Sequence, residues 1–141
     1  MPRRKSYATF DRSYDEIAEH MKTNDTIIIP MGSCEKHGAH VISGTDTVTA
    51  MGVVKTAAPL ADTLYTPIIP VGYSPHHMGR PGQGSGTLTL SGNTYRAVVY
   101  DLAMSMIYHG YNKIVFVTHQ QAATEAEGEG MKVITLGEQN V

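Results

Sequence analysis

The sequence predicts an α/β fold: a mostly parallel β-sheet with helices on both faces. Short β-branched runs at residues 26–31, 64–71 and 113–118 read as strands. Stretches with apolar residues at helical spacing lie before and between them. This alternation of strand and helix is the pattern of a parallel sheet covered by helices.

Taken in order, Tyr14, Ile17, Ala18 and Met21 recur at helical spacing after Asp11 and Ser13, two residues suited to cap a helix. The run Thr26-Ile27-Ile28-Ile29-Pro30-Met31 ends at Gly32 and reads as a buried strand. From Asp46 to about Ala61, Val48, Met51, Val54 and Ala58 suit a second helix, with Pro59 loosening its end. Residues 64–71 carry Pro67 and Pro70, each of which removes a ladder donor, so an interrupted or edge strand is expected. A long loop rich in Gly, Pro and Ser fills residues 72–92. The stretch 93–109 places Val98, Val99, Leu102, Met106 and Ile107 on one helical face, and Gly110 closes it. Lys113-Ile114-Val115-Phe116-Val117-Thr118 is the clearest strand. A short helix at 120–127, a solvated Glu/Gly turn at 125–130 and a last strand at 131–136 complete the reading. There is no internal repeat and no domain boundary, so residues 1–141 are expected to form one domain.

Composition narrows the function classes. Hydrophobic residues are 41% and charged residues 17%, too apolar for a disordered chain. Eleven basic against thirteen acidic residues give a net charge of -2 without a basic stripe, so nucleic acid is not an expected partner. One cysteine cannot form an internal disulfide. The basic start is followed by polar residues rather than a signal-peptide core, and no apolar run approaches the ~20 residues of a membrane span. A soluble cytoplasmic domain is the expectation, with no membrane partner.

In open parallel sheets, ligands bind at the carboxyl ends of the strands. That filter sorts the histidines. Gly32-Ser33-Cys34-Glu35-Lys36-His37-Gly38-Ala39-His40 follows the first strand, then Gly44-Thr45-Asp46; Ser74-Pro75-His76-His77 follows the second, and His119 the third. His20 and His109 fall on helices, where a surface role is expected. Glu35 and His37, two apart, point to one side of an extended segment. With Asp46 and His119 they make a mixed N/O set suited to zinc, manganese or iron. Asp46 can bridge two ions, or it can serve only as a helix N-cap. Cys34 with His37 as base is a second nucleophile pair, although a small loop cysteine is more often inert.

The stretch Pro30-Met31-Gly32-Ser33-Cys34-Glu35-Lys36-His37-Gly38-Ala39-His40, followed by Gly44-Thr45-Asp46-Thr47, resembles the hallmark P-x-G-S-x-E-x-H-G-x-H…T-D of the creatininase (creatinine amidohydrolase) family. Gly72-Tyr73-Ser74-Pro75-His76-His77 through Pro81-Gly82 is similar to the family's G-x-S-x-E-H-x-x-x-P-G loop. Thr87-Leu88-Thr89-Leu90 and the run from His109-Gly110 to His119 match in the same order. The resemblance covers about residues 12–120.

The resemblance implies the family's three-layer sandwich, here without its usual C-terminal part, and a centre of two divalent ions (zinc, manganese or iron). Glu35 and His119 would hold one ion and His37 the other, with Asp46 bridging. His77 would line the substrate pocket, and His40 would orient a ligand. The implied activity is a metal-dependent hydrolase opening a C–N bond of a small molecule, a cyclic amide, through a metal-bound hydroxide. The alternatives are hydrolysis of a cyclic sugar ketone, or a non-catalytic or half-site subunit of such an assembly. Gln121 stands where the family's namesake enzyme completes the second metal site with a glutamate, and Gln83-Gly84-Ser85-Gly86 is inserted in the substrate loop. The expected assembly is a hexamer-like homo-oligomer, or a hetero-oligomer with a chain that supplies the missing half.

Overall fold

The computed structural model describes residues 6–118 with their side chains and residues 131–135 as backbone. Among the described residues lie α1 (Tyr14–Met21), β1 (Thr26–Met31), α2 (Thr45–Leu60), β2 (Leu64–Tyr65), α3 (Gly92–Tyr108), β3 (Lys113–Thr118) and β4 (Met131–Thr135). All strand pairings are parallel, in the order β2-β1-β3-β4. No helix among the described residues is long and apolar enough to cross a membrane.

The α/β expectation is met, and the pleat explains the layers. Successive side chains of a strand point to opposite faces. Ile27, Ile29 and Met31 of β1, with Ile114 and Phe116 of β3, pack under Tyr95, Val99 and Ala103 of α3. Ile17 and Met21 of α1 join that side. Ile28 and Val117 point the other way, onto Val54 and Ala58 of α2. Helices therefore cover both faces of a sheet whose central strands are apolar on each side.

Local signals place the helix ends. Ser13 and Glu16 form a reciprocal capping box that starts α1. Ser91 caps α3 by accepting from the Thr94 backbone N–H. Gly110, with φ of 95°, turns the chain out of α3 in a conformation that other residues enter at a cost.

Some expectations change. The strand expected over residues 64–71 is hydrogen-bonded as β2 only at Leu64–Tyr65; a single further bridge joins Ile69 to Met31, and the prolines lie between and beyond. The long loop is not featureless. It holds a 3₁₀ turn at Pro75–His77, is closed on itself through Leu90 N to Gly72 O (2.9 Å), and is laced to the segment after β1 through Leu88 N to Cys34 O (2.9 Å). His20 is buried rather than on the surface: its Nε2 donates to the Asp62 carbonyl at 2.9 Å, fastening α1 to the turn after α2. The helix expected at 120–127 and the turn at 125–130 lie outside the described residues.

Tyr95 ties the core to pH. Burial pushes its phenol from the ordinary 10.0 up to about 12, since no water solvates a phenolate there. A folded-state pKa above the unfolded one gives stability that is complete below about pH 10 and lost as pH rises through about 12. Two pH units correspond to about 2–3 kcal/mol. Tyr95→Phe is expected to flatten this alkaline loss, read as the difference in urea midpoint between pH 9 and 11.5 in variant and parent.

Candidate metal centre

β1 and β3 are neighbours in register, Met31 beside Thr118, and the chain leaves β1 and β2 in opposite directions along the sheet. Such a reversal opens a crevice at the carboxyl ends of the strands. The segment after β1 enters it directly.

Close approach of backbone to backbone sets the geometry. A Cβ on Gly32 would lie 2.6 Å from Thr47 Cα, so only glycine lets the first turn of α2 sit on the end of β1. Thr47 Oγ1 then donates to Ser33 O at 2.9 Å. Asp46, one residue before, is carried into the crevice. Its position is the second residue of α2, after an N-cap at Gly44, so it is not itself the cap.

Glu35 and His37 point to the same side as Asp46, and one ligand atom from each of the three lies within 4.8 Å of the others. His37 Nε2 is 3.6 Å from Asp46 Oδ1 and 3.8 Å from Glu35 Oε1. It is buried and makes no hydrogen bond. Those separations are too long for hydrogen bonds. They suit donors around one cation, since ligands about 2.0–2.2 Å from a common zinc stand roughly 3–4 Å apart. Glu35 and Asp46 are themselves buried. Two carboxylates withdrawn from water beside one imidazole fit a divalent cation, which balances their charge.

Ser33 Oγ donates to Asp46 Oδ2 at 2.5 Å, which leaves Oδ1 turned to His37. The role of Ser33 was not read from the sequence, although it is the serine of the G-S step in the hallmark motif. Ser33→Ala is expected to weaken zinc binding about 10–100-fold, as is usual when the partner that orients a ligand is lost. Titration against a competing chelator measures it, and unchanged affinity refutes the role.

Thr87 was also missed, although it opens the T-x-x-L stretch. It accepts from Lys36 N (3.0 Å) and donates to His77 O (2.8 Å), joining the loop to the Glu35–His37 segment. The loop thereby presents His77 with Nε2 3.6 Å from Glu35 Oε1. Cys34 points elsewhere, with Sγ 3.9 Å from Gly86 O, so it does not pair with His37. His40 and His76 are exposed and outside the cluster of ligand atoms. His109 is exposed after α3. His119 and Gln121 lie outside the described residues, so the cluster here is Glu35, His37, Asp46 and, beside them, His77.

Comparison with known proteins identifies the family and the fold. A family model described as creatinine amidohydrolase matches residues 11–128. A 3-dehydro-scyllo-inosose hydrolase of Thermotoga maritima is 41% identical over 73 residues, 48% of this chain and 22% of that protein. A creatinine amidohydrolase of Pseudomonas putida is 26% identical over 115 residues, 80% of this chain and 44% of that protein. A crystal structure of creatininase superposes with a TM-score of 0.78 at 20% identity, covering 94% of this chain and 58% of the other. Zinc–zinc and manganese forms of creatininase share the fold, each with a TM-score of 0.76 at 23% identity over 94% of this chain and 58% of theirs. The chain thus spans about half the length, or less, of the relatives it matches.

Proposed function

Because the chain belongs to the creatininase family, whose matched members are hydrolases, we propose that it is a metal-dependent hydrolase of a small molecule, opening the C–N bond of a cyclic amide. The observation that carries the proposal is the meeting of Glu35, His37 and Asp46 at the carboxyl end of β1. These three and His119 would hold the divalent metal, with zinc or manganese the ions seen in creatininases of this fold. A bound pair of such ions would supply Lewis acidity and lower the pKa of coordinated water to about 7.

The protein's own contribution is orientation. Ser33 holds one oxygen of Asp46 so that the other faces His37, and Asp46 is assigned the bridging position. Glu35 stands between His37 and His77, and His77 is assigned to the reacting side of the centre. Burial of both carboxylates keeps water from screening the charge on which substrate polarisation depends.

The residues 1–141 are assigned to one domain that works in the cytoplasm within an oligomer. The partner is a further copy, in a hexamer-like assembly, or a second kind of chain that contributes to the centre. Tyr100, Met104, Ile107 and Tyr108 leave an apolar stripe exposed on α3, which supports association.

A second reading is hydrolysis of a cyclic sugar ketone. It is favoured by the 41% identity to the inosose hydrolase over a stretch of 73 residues. One preparation tests both. Native mass and metal content are measured together, then turnover of creatinine and of 3-dehydro-scyllo-inosose. Two ions per chain with creatinine turnover supports the first reading, and turnover of the ketone alone supports the second. Zero or one ion with no turnover, even beside a partner chain, overturns both in favour of a half-site subunit.

A further inference from the structure

His77 carries the hydrogen-bonding signature of a metal ligand, and we infer that it is an additional ligand of the centre, on the Glu35 side. The inference rests on the metal-centre reading above and extends it to a residue outside the three-residue cluster.

The tautomer follows from the partners. His77 Nδ1 lies 3.0 Å from the Lys36 carbonyl oxygen, which can only accept. Nδ1 therefore carries a hydrogen, which leaves Nε2 as the ring atom available to a cation. Nε2 faces Glu35 Oε1 at 3.6 Å. That separation is too long for a direct hydrogen bond and suits two donors on one metal ion. A ring whose Nδ1–H is held by a backbone carbonyl is oriented as metal-ligating histidines are.

The position is built rather than incidental. Thr87, 8% exposed, bonds both the Lys36 amide and the His77 carbonyl, which fixes the distance between the two segments. Lys36 lies between Glu35 and His37, so its carbonyl ties His77 to the backbone that carries two of the cluster's donors. Glu35 Oε1 is nearly equidistant from His37 Nε2 (3.8 Å) and His77 Nε2 (3.6 Å), while the two rings stand 6.2 Å apart between centroids. Glu35 is thus placed to be shared, with His37 and Asp46 on one side and His77 on the other.

Two substitutions separate ligation from loop support. In His77→Asn the amide N–H reproduces the Nδ1–H bond to Lys36 O but removes the Nε2 donor; His77→Ala removes both. Cobalt(II) titration is followed by its visible absorption, with zinc affinity measured by chelator competition. The expected result for His77→Asn is at least a 10-fold loss of affinity and a changed cobalt spectrum, with the thermal midpoint of the metal-free protein unaltered. Unchanged affinity and spectrum in His77→Asn, while Asp46→Ala abolishes binding, overturns the inference and leaves the metal centre standing. If Glu35→Ala and Asp46→Ala also bind cobalt as the parent does, the centre itself fails. A loss in His77→Ala that His77→Asn fully restores assigns His77 to loop support and also overturns the inference.

Discussion

Asp46→Ala is expected to empty the metal centre, dropping bound divalent metal to less than a tenth of the parent's content. Asp46 is the donor with the most support behind it. It is 2% exposed, one oxygen is fixed by Ser33, and the other faces His37. Its place in the first turn of α2 also puts it beside the backbone N–H groups that open a helix, where an acidic side chain is favoured. If Asp46 bridges two ions, both leave together. Activity would fall by about 10³-fold or more, since several kcal/mol of transition-state stabilisation comes from the metal. Mass-spectrometric metal analysis after dialysis decides the point, and full retention would refute the bridging assignment. Loss of one ion only would move Asp46 to a single-ion role.

Gly32→Val is expected to destabilise the fold by about 3 kcal/mol or more, near the upper end for overpacking. The reason is space. The added Cβ would stand 2.6 Å from Thr47 Cα, which is backbone inside a helix and cannot rotate aside as a side chain can. The first turn of α2 would have to lift from β1, breaking the Thr47–Ser33 bond and displacing Asp46. The variant should therefore lose metal affinity as well as stability, read from the urea midpoint of the metal-free protein and from chelator competition. An unchanged midpoint would mean that α2 does not depend on this contact.

The two predictions differ in how far the sequence anticipated them. Asp46 was legible because carboxylates at a helix start beside a Glu-x-His pair suggest metal chemistry. The space requirement at Gly32 was not, because a glycine in a motif does not reveal which chain passes over it. Ser33 and Thr87 stayed silent for a related reason. Each makes its decisive bond to residues 13 to 51 positions away, and a hydroxyl's partner has no local signature. His20 went the other way. Its single ring looked like surface on an amphipathic helix, but the Asp62 carbonyl 42 positions on gave it a buried partner.

Periodicity and end signals are local, so residue spacing was enough to read the α/β class, the ends of α1 and α3, the interruption of the strand at Pro67 and Pro70, and the residue types available for ligation. Side chains two apart on an extended segment share a side whatever the rest of the chain does, so the Glu35–His37 pairing was also local. Only the tertiary structure decided the strand order β2-β1-β3-β4, the seating of α2 on β1, and the loop path that brings His77 to Glu35. These are set by which surfaces pack together, a property of pairs of distant segments that spacing along the chain does not encode.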